Sequence, residues 1–350
     1  MEMNIKTSRI ITLLAAASAV AAVLGSCAKE AATENNASEK RFFDSWIRLN
    51  HPSAQRTTLG AYIVDDQPGT GETVTGEDTF ILARYTVTDL EGNITSTTSE
   101  ELAKQLGTWA RSKYYGDQVL LNNTSYTEAG LLDIIKGMKV GGTRRGVIPG
   151  WLNVKTGYDT AEEYLKNCSG ENAVYTITIT GKTDDIYALE VEQLEKFTDE
   201  YMDGVDSTMY GYYCKQLVAP SDTTEIPVDT TYYINYTGRL LNGQVFDTTI
   251  KDTAKVYGIY SESKTYKPIQ VNMSSEYTEI TIGSENDSNG VTGSTVVDGF
   301  SFTLSNLKKY QKVICAFYSV YGYGYSGMGA AIPKYAPLSF TIEYVDKPEN

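Results

Sequence analysis

The residues best suited to chemistry lie at positions 296–340 of the 350-residue chain. This stretch contains an apolar strand pattern at 313–317, an aromatic and glycine-rich loop at 321–327, and an alternating apolar pattern from Leu338 onward. Alternation with a period of two is typical of a strand with one buried face. Because apolar and aromatic side chains flank the loop on both sides, we expect them to converge on a small apolar pocket.

Other kinds of chemistry lack the residues they need. The chain has one histidine, His51, which precedes Pro52 and is interpreted as an exposed residue at the end of a helix. A Ser-His-Asp or Cys-His nucleophile and a histidine-rich metal site are therefore unsupported. Lys and Arg total 30 against 44 for Asp and Glu, and a net charge of −14 argues against nucleic acid as a partner. We expect neither a metal nor another cofactor.

The first residues have the composition of an export signal. Lys6 and Arg9 precede an apolar run at 10–24, which has the length of a signal-peptide core and is short for a bilayer span. The run ends in LGSC, and this resembles the lipobox of bacterial lipoproteins, although a chance cysteine would look the same. The resemblance implies removal of residues 1–26 and lipidation of Cys27. The expected location is the outer membrane of a bacterial cell envelope, on its periplasmic or surface side.

Residues 27–38 are small and polar, and they are predicted to form a flexible tether. Three cysteines follow Cys27, an odd number with no metal-binding spacing, so we expect no disulfide framework. Cys214 and Cys315 lie in apolar strand patterns and are interpreted as buried thiols.

The chain contains two copies of one plan. LGAYIV at 59–64 corresponds to YGYYCKQLV at 210–218, and FILARYTVTDLEGN at 80–93 corresponds to YYINYTGRLLNGQ at 232–244. Positions 60 and 211, 85 and 236, and 92 and 243 are each 151 apart, which indicates duplication. Further on, Gly130 and Gly299 are 169 apart, so the second copy has 18 more residues before this point.

Each copy has about five segments of period-two pattern and an amphipathic helix in front of them. The first helix carries Phe42, Phe43, Trp46, Ile47 and Leu49, and the second carries Leu189, Val191, Leu194, Phe197 and Met202. These patterns predict an α+β fold with an antiparallel sheet in each copy. We place the boundary near Asp184, so that the domains comprise residues 39–184 and 185–350.

The second copy resembles the FKBP-type peptidyl-prolyl cis-trans isomerases. It carries their YTG, Phe-Asp, Tyr-Gly and Ile-Pro motifs, and the family spacing is kept without a gap over 296–340. The resemblance implies two FKBP-like domains, each a curved antiparallel sheet wrapped on a short helix. It implies that the catalytic residues are Tyr236, Phe246, Asp247 and Tyr323. It also implies a substrate-binding group, which consists of Val296, Val297, Phe300, Ile332 and Phe340.

The activity implied by the resemblance is rotation of X-Pro bonds in proline-containing unfolded or exported polypeptides. The Ile332 N–H would hold a substrate carbonyl, and Asp247 would act as a hydrogen-bond partner and not as a general base. Taken singly, Tyr236, Phe246 and Phe340 would also suit an ordinary core. The alternative function is a non-catalytic lipoprotein that binds proteins or glycans on degenerate FKBP folds.

The first copy lacks most of this constellation. Tyr85 matches Tyr236, but no Phe-Asp pair follows Gly92, Leu131 stands at the floor position and Val154 replaces the loop tyrosine. We therefore predict that residues 39–184 form an inactive domain with a structural or client-holding role. In the second copy, residues of about 250–295 are predicted to be an insertion. The sequence leaves open whether it is a surface elaboration or a flap that contacts clients.

Overall fold

The computed structural model describes residues 35–167, 170–283 and 293–349. The predicted signal peptide, Cys27, most of the predicted tether, Cys168 and part of the predicted insertion lie outside these residues. Within the described ranges, no helix combines the length and hydropathy needed to cross a bilayer. Those same ranges contain no group of three or more His, Cys, Asp or Glu side chains arranged to hold a metal ion.

The first half of the chain forms a seven-stranded antiparallel sheet in the order β1-β2-β6-β7-β3-β4, with β5 also paired to β3. The strands are β1 (Gln55–Arg56), β2 (Tyr62–Gln67), β3 (Phe80–Thr88), β4 (Ile94–Thr97), β5 (Gln118–Leu121), β6 (Thr143–Ile148) and β7 (Ala173–Thr183). The helices are α1 (Asn35–Asn50), α2 (Glu100–Gln105), α3 (Ala129–Ile135) and α4 (Ala161–Lys166).

The second half forms an eight-stranded antiparallel sheet in the order β13-β12-β11-β9-β15-β14-β8, with β10 paired to β9. The strands are β8 (Tyr212–Val218), β9 (Thr231–Leu240), β10 (Val245–Thr248), β11 (Ile269–Asn272), β12 (Thr281–Ile282), β13 (Ser294–Thr295), β14 (Lys312–Phe317) and β15 (Leu338–Val345). The helices are α5 (Ile186–Tyr201), α6 (Lys251–Val256) and α7 (Asp298–Asn306). The predicted α+β class is confirmed.

The two sheets are copies of one plan in structure as well as in sequence. Five elements of the first copy (α1, β3, β4, α2 and β5) begin 151 positions before their counterparts α5, β9, β10, α6 and β11. The next pair, α3 and α7, begins 169 positions apart, so the additional residues lie between β11 and α7. The insertion is therefore narrower than the predicted 250–295, because α6 and β11 have equivalents in the first copy. What is extra includes β12, β13 and a 3₁₀ turn at Tyr277–Glu279.

The N-terminal helix begins earlier than predicted, and the residue that follows it, His51, is less exposed than predicted. It begins at Asn35, inside the predicted tether, where the Asn36 amide donates to the carbonyl of Leu165 at 2.8 Å and so ties the helix to α4. Phe43 is fully buried, whereas Phe42 is 57% exposed because adjacent helical residues point about 100° apart. After the helix, the His51 ring packs on Trp46 at 5.3 Å and is half-buried rather than exposed.

Each sheet packs on its own short helix, α3 in the first copy and α7 in the second. A glycine begins the contact in both: a Cβ at Gly130 would lie 2.3 Å from Ile148, and one at Gly299 would lie 2.5 Å from the Phe317 ring. Glycine therefore lets the helix approach the strands closely. On the neighbouring strands β8 and β14, Cys315 is buried and Cys214 half-buried, both as free thiols.

Candidate active site

A cavity of about 660 Å³ opens in the second domain between α7, the strands β9, β10 and β15, and the loop that joins β14 to β15. It contains all nine residues that the sequence predicted for the pocket: Tyr236, Phe246, Asp247, Val296, Val297, Phe300, Tyr323, Ile332 and Phe340. Four further residues line it, and these are Ile282, Thr295, Met328 and Ala331. Ile282 and Thr295 belong to β12 and β13, so the extra segment forms part of the cavity wall.

Aromatic rings form the floor of the cavity. Phe300 lies on α7 and packs edge-to-face against Tyr236 at 5.3 Å and against Phe340 at 4.9 Å. Phe246 reaches Phe340 from the other side at 5.6 Å, also edge-to-face. Edge-to-face pairs at these distances are favourable beyond the area they bury, so the floor is held in one arrangement.

An irregularity in β10 places Phe246 and Asp247 on the cavity together. The pairing with β9 shifts between Val245 and Asp247, which leaves Phe246 as an extra residue in a bulge. Without the bulge, adjacent strand residues would point to opposite faces of the sheet. Opposite the bulge lies Gly238, the glycine of the YTG motif. A Cβ there would lie 2.6 Å from the Phe246 ring and 2.7 Å from the Phe340 ring, so only glycine leaves room for both.

Polar contacts at the edge of the cavity centre on Asp247. Its carboxylate accepts a hydrogen bond from the Tyr236 hydroxyl at 2.6 Å and from the Thr248 N–H at 2.9 Å, and it forms an ion pair with Lys264. Burial, together with the Asp247 charge, raises the pKa of both Tyr236 and Tyr323. Both phenols therefore remain protonated and can donate hydrogen bonds. Lys264 was not among the site residues predicted from the sequence.

The backbone N–H of Ile332 has a partner within its own loop. Its N–H donates to the carbonyl of Met328 at 3.2 Å, and the Met328 N–H donates back to the Ile332 carbonyl at 2.8 Å. A substrate carbonyl must compete with Met328 for this N–H. The bridge spans a tight turn in which Gly327 and Gly329 have φ values of 61° and 55°. These conformations favour glycine.

Comparison with known proteins bears directly on this domain. Residues 223–345 match the model of the FKBP-type peptidyl-prolyl cis-trans isomerase family, and this range includes every strand and helix around the cavity. This part of the chain belongs to that family. The sequence match carries the assignment, and it is limited to residues 223–345 of the second domain.

Several solved structures align with this chain. The three FKBP domains of wheat FKBP73 align with 84% of this chain and 98% of their own, at 12% identity and a TM-score of 0.29. A peptidyl-prolyl cis-trans isomerase from Pseudomonas syringae aligns with 47% of this chain and 96% of its own, at 20% identity and a TM-score of 0.30. FkpA from Escherichia coli aligns with 45% of this chain and 57% of its own, at 25% identity and a TM-score of 0.30. No curated protein matches the sequence.

The first domain keeps the framework of this site but lacks the rings of Phe246, Phe300 and Tyr323. Its strand β4 has the same shift in pairing, but Thr95 and Ser96 stand where Phe246 and Asp247 stand in the second copy. Leu131 is 2% exposed at the floor position, and Tyr85 packs on Tyr175 at 5.9 Å. The equivalent residues of the first domain therefore do not form an aromatic cup.

Proposed function

We propose that the second domain catalyses cis-trans rotation of X-Pro peptide bonds, with the cavity around Phe300 as its active site. The observation that carries the proposal is the aromatic floor of the cavity, which lies beside the hydrogen bond between Tyr236 and Asp247. An apolar cup of this kind suits a pyrrolidine ring. The family match supports the same reaction.

The chemistry requires no nucleophile or proton transfer. Rotation about the X-Pro bond must overcome a barrier of about 20 kcal/mol, because the planar amide is stabilised by resonance. The planar amide is more charge-separated than the twisted one, so transfer from water to an apolar site raises its energy relative to the transition state. Each ~1.4 kcal/mol of such differential stabilisation gives about a tenfold increase in rate.

Each polar group then has a limited role. Asp247 already accepts three contacts, so it fixes the Tyr236 hydroxyl rather than removing a proton. Tyr323 lines the cavity as a protonated hydrogen-bond donor. In the bound state, the Ile332 N–H turns from the Met328 carbonyl to the carbonyl of the substrate. Phe300 and Phe340 contact the proline ring.

Exchange spectroscopy on a short Ala-Pro-Phe peptide, with and without the full chain, tests the proposal. Wild-type protein should accelerate cis-trans exchange, and Tyr323→Ala should reduce the acceleration about tenfold, as expected for loss of one well-placed contact. The matched control is Val154→Ala, at the equivalent position of the first domain, which should leave the rate unchanged. Absence of acceleration by the wild type would contradict the proposal and favour the non-catalytic binding function.

We also propose that the protein is a lipoprotein anchored at Cys27 and that its clients are exported polypeptides. Support comes from the leader and its LGSC motif, which lie outside the described residues. Cys27→Ser should move the protein from the membrane fraction to the soluble fraction and abolish labelling by a fatty-acid probe. If the Cys27→Ser variant were still labelled by the fatty-acid probe, lipidation at Cys27 would be contradicted.

A further inference from the structure

The loop between β14 and β15, residues 318–337, supplies much of the cavity wall; we refer to it as the pocket loop. It carries Tyr323, Met328, Ala331 and Ile332 into the cavity. Its internal structure consists of two 3₁₀ turns and the Met328–Ile332 bridge. Glycines at 324, 327 and 329 have positive φ values, which makes this segment costly to order. Contacts from outside the loop therefore matter for its position.

The first domain supplies such a contact through Tyr114. This residue lies between α2 and β5, and its N–H donates to the Ala330 carbonyl of the pocket loop at 2.8 Å. Its ring leaves its own domain and packs against the hydrophobic core of the second domain. Ala330 stands next to Ala331, which lines the cavity. A single residue of the first domain thus reaches the wall of the second domain's site.

Two aromatic pairs extend this contact along the pocket loop. Phe80 of β3 packs edge-to-face on Tyr335 at 5.2 Å, and Tyr126 packs on Tyr325 at 6.0 Å. Tyr335 has a φ of 55°, which is unfavourable for a residue with a side chain, and its N–H donates to Gly324 at 2.8 Å. The ring contact with Phe80 helps to hold Tyr335 in that conformation.

Tyr114 is not repeated in the second copy, although both of its neighbours are. Its neighbours Lys113 and Tyr115 recur as Lys264 and Tyr266, and in both copies the lysine lies over the tyrosine ring, at 5.3 Å and 5.6 Å. Between them, however, the second copy has the exposed Thr265. The loop therefore folds with a threonine at this position, and the tyrosine of the first copy is used for the contact with the second domain.

We infer that the first domain is a positioning element for the second, with Tyr114 holding the pocket loop in the arrangement that completes the active-site cavity. The inference rests on the proposed isomerase function for its catalytic consequence, but the positioning itself is independent of catalysis. If the loop occupies the binding-competent arrangement in only a fraction of the molecules, the apparent affinity for substrate is reduced in proportion to that fraction. The degenerate domain thereby acquires a defined role.

The test is Tyr114→Thr in the full chain, which installs the residue that the second copy has in the same loop. Amide hydrogen exchange of Met328, Ile332 and Tyr335, whose N–H groups bond within the pocket loop, should accelerate about tenfold because local opening becomes easier. Exchange in β14 and β15 should not change. The KM for the Ala-Pro-Phe peptide should rise about tenfold, with kcat much less affected. Tyr114→Phe should retain wild-type behaviour in both measurements.

Leu106→Thr is the matched control, because Leu106 is 44% exposed on the same segment of the first domain. It should change neither measurement. Unchanged exchange of the pocket-loop amides in Tyr114→Thr would overturn the inference, whatever happens to KM. Accelerated exchange in a protein whose wild type has no isomerase activity would refute the proposed function and leave the positioning role standing. If Tyr114→Thr does not fold, Phe80→Leu provides the second variant, with the same expected direction and the same overturning result.

Discussion

The two domains share one framework and differ in what occupies it. At the strand position opposite the β-bulge, the second domain has Gly238 and the first has Val87, which is 8% exposed. Val87 fits because Thr95 replaces the ring of Phe246, whereas Gly238 is required because two rings meet above it. The sheet, the bulge and the short helix are therefore common to both domains, and the side chains around them distinguish the second domain from the first. One framework thus carries two different sets of side chains, so the fold alone does not specify a site.

Exchanging this position between the domains should give the largest effect. Gly238→Val must displace Phe246 or Phe340, so the free energy of unfolding of the second domain should fall by about 3 kcal/mol or more through overpacking. Isomerase activity should be lost at the same time. Val87→Gly should lower stability by about 1–2 kcal/mol and leave activity unchanged. Thermal unfolding and peptide exchange rates check both, and an active Gly238→Val variant would break the comparison.

The helices before the two sheets also differ at an equivalent position. Glu190 of α5 is 1% exposed and accepts hydrogen bonds from the Ser319 N–H at 2.5 Å and the Ser319 hydroxyl at 2.8 Å, whereas Glu39 of α1 is exposed. Burial raises the pKa of Glu190 from 4.5 to about 7, against the effect of the Ser319 bonds. The folded protein therefore binds this proton more tightly than the unfolded chain does.

It follows that the contribution of Glu190 to stability is greatest below pH 4.5 and is lost as the pH rises to about 7. Glu190→Gln keeps an acceptor for Ser319 and removes the titration. Relative to wild type, its free energy of unfolding should increase by up to about 3 kcal/mol between pH 4.5 and pH 8. Urea unfolding at several pH values measures the difference. A difference that is independent of pH would show that Glu190 does not titrate in this range.

Replacing the floor of the cup with the residue of the first domain should have a moderate effect. Phe300→Leu copies Leu131 and removes the edge-to-face contacts with Tyr236 and Phe340, each worth about 0.5–1.5 kcal/mol. We expect kcat/KM for the peptide to fall about tenfold. The reverse change, Leu131→Phe, should not confer activity on the first domain, because Thr95 and Ser96 remain. Unaltered kcat/KM in Phe300→Leu would show that the floor does not contact the proline ring.

The smallest effect is expected at Lys264. The same lysine exists in the first copy as Lys113, but Ser96 stands there in place of its partner Asp247. Lys264 is partly exposed, and such ion pairs contribute about 0–1 kcal/mol. Lys264→Met should therefore lower kcat/KM by about threefold or less at low salt, and the difference should disappear at high salt. A larger, salt-independent loss would assign Lys264 a direct role.

Much of the fold and the membership of the cavity could be predicted because they depend on local patterns. The sequence directly shows the period-two strand patterns, the 151-residue repeat and the ungapped motifs at 296–340. The bulge at Phe246 is not, since simple alternation would send Phe246 and Asp247 to opposite faces. The bond between Ile332 and Met328, the ion pair of Lys264 and the wall residue Ile282 also depend on chain packing that no spacing reveals. The contacts of Tyr114 and Phe80 with the pocket loop depend on how two domains meet.

The most direct test of the central claim is to block the two equivalent positions in turn. Asp247→Leu removes the carboxylate that holds Tyr236, and Ser96→Leu makes the equivalent change at an exposed residue of the first domain. Exchange spectroscopy on the Ala-Pro-Phe peptide with each full-length variant measures which domain is responsible. We expect Asp247→Leu to lower the catalysed rate at least tenfold, with the domain still folded, and Ser96→Leu to retain the wild-type rate. Full activity in Asp247→Leu, or loss of activity in Ser96→Leu, would contradict the assignment of catalysis to the second domain.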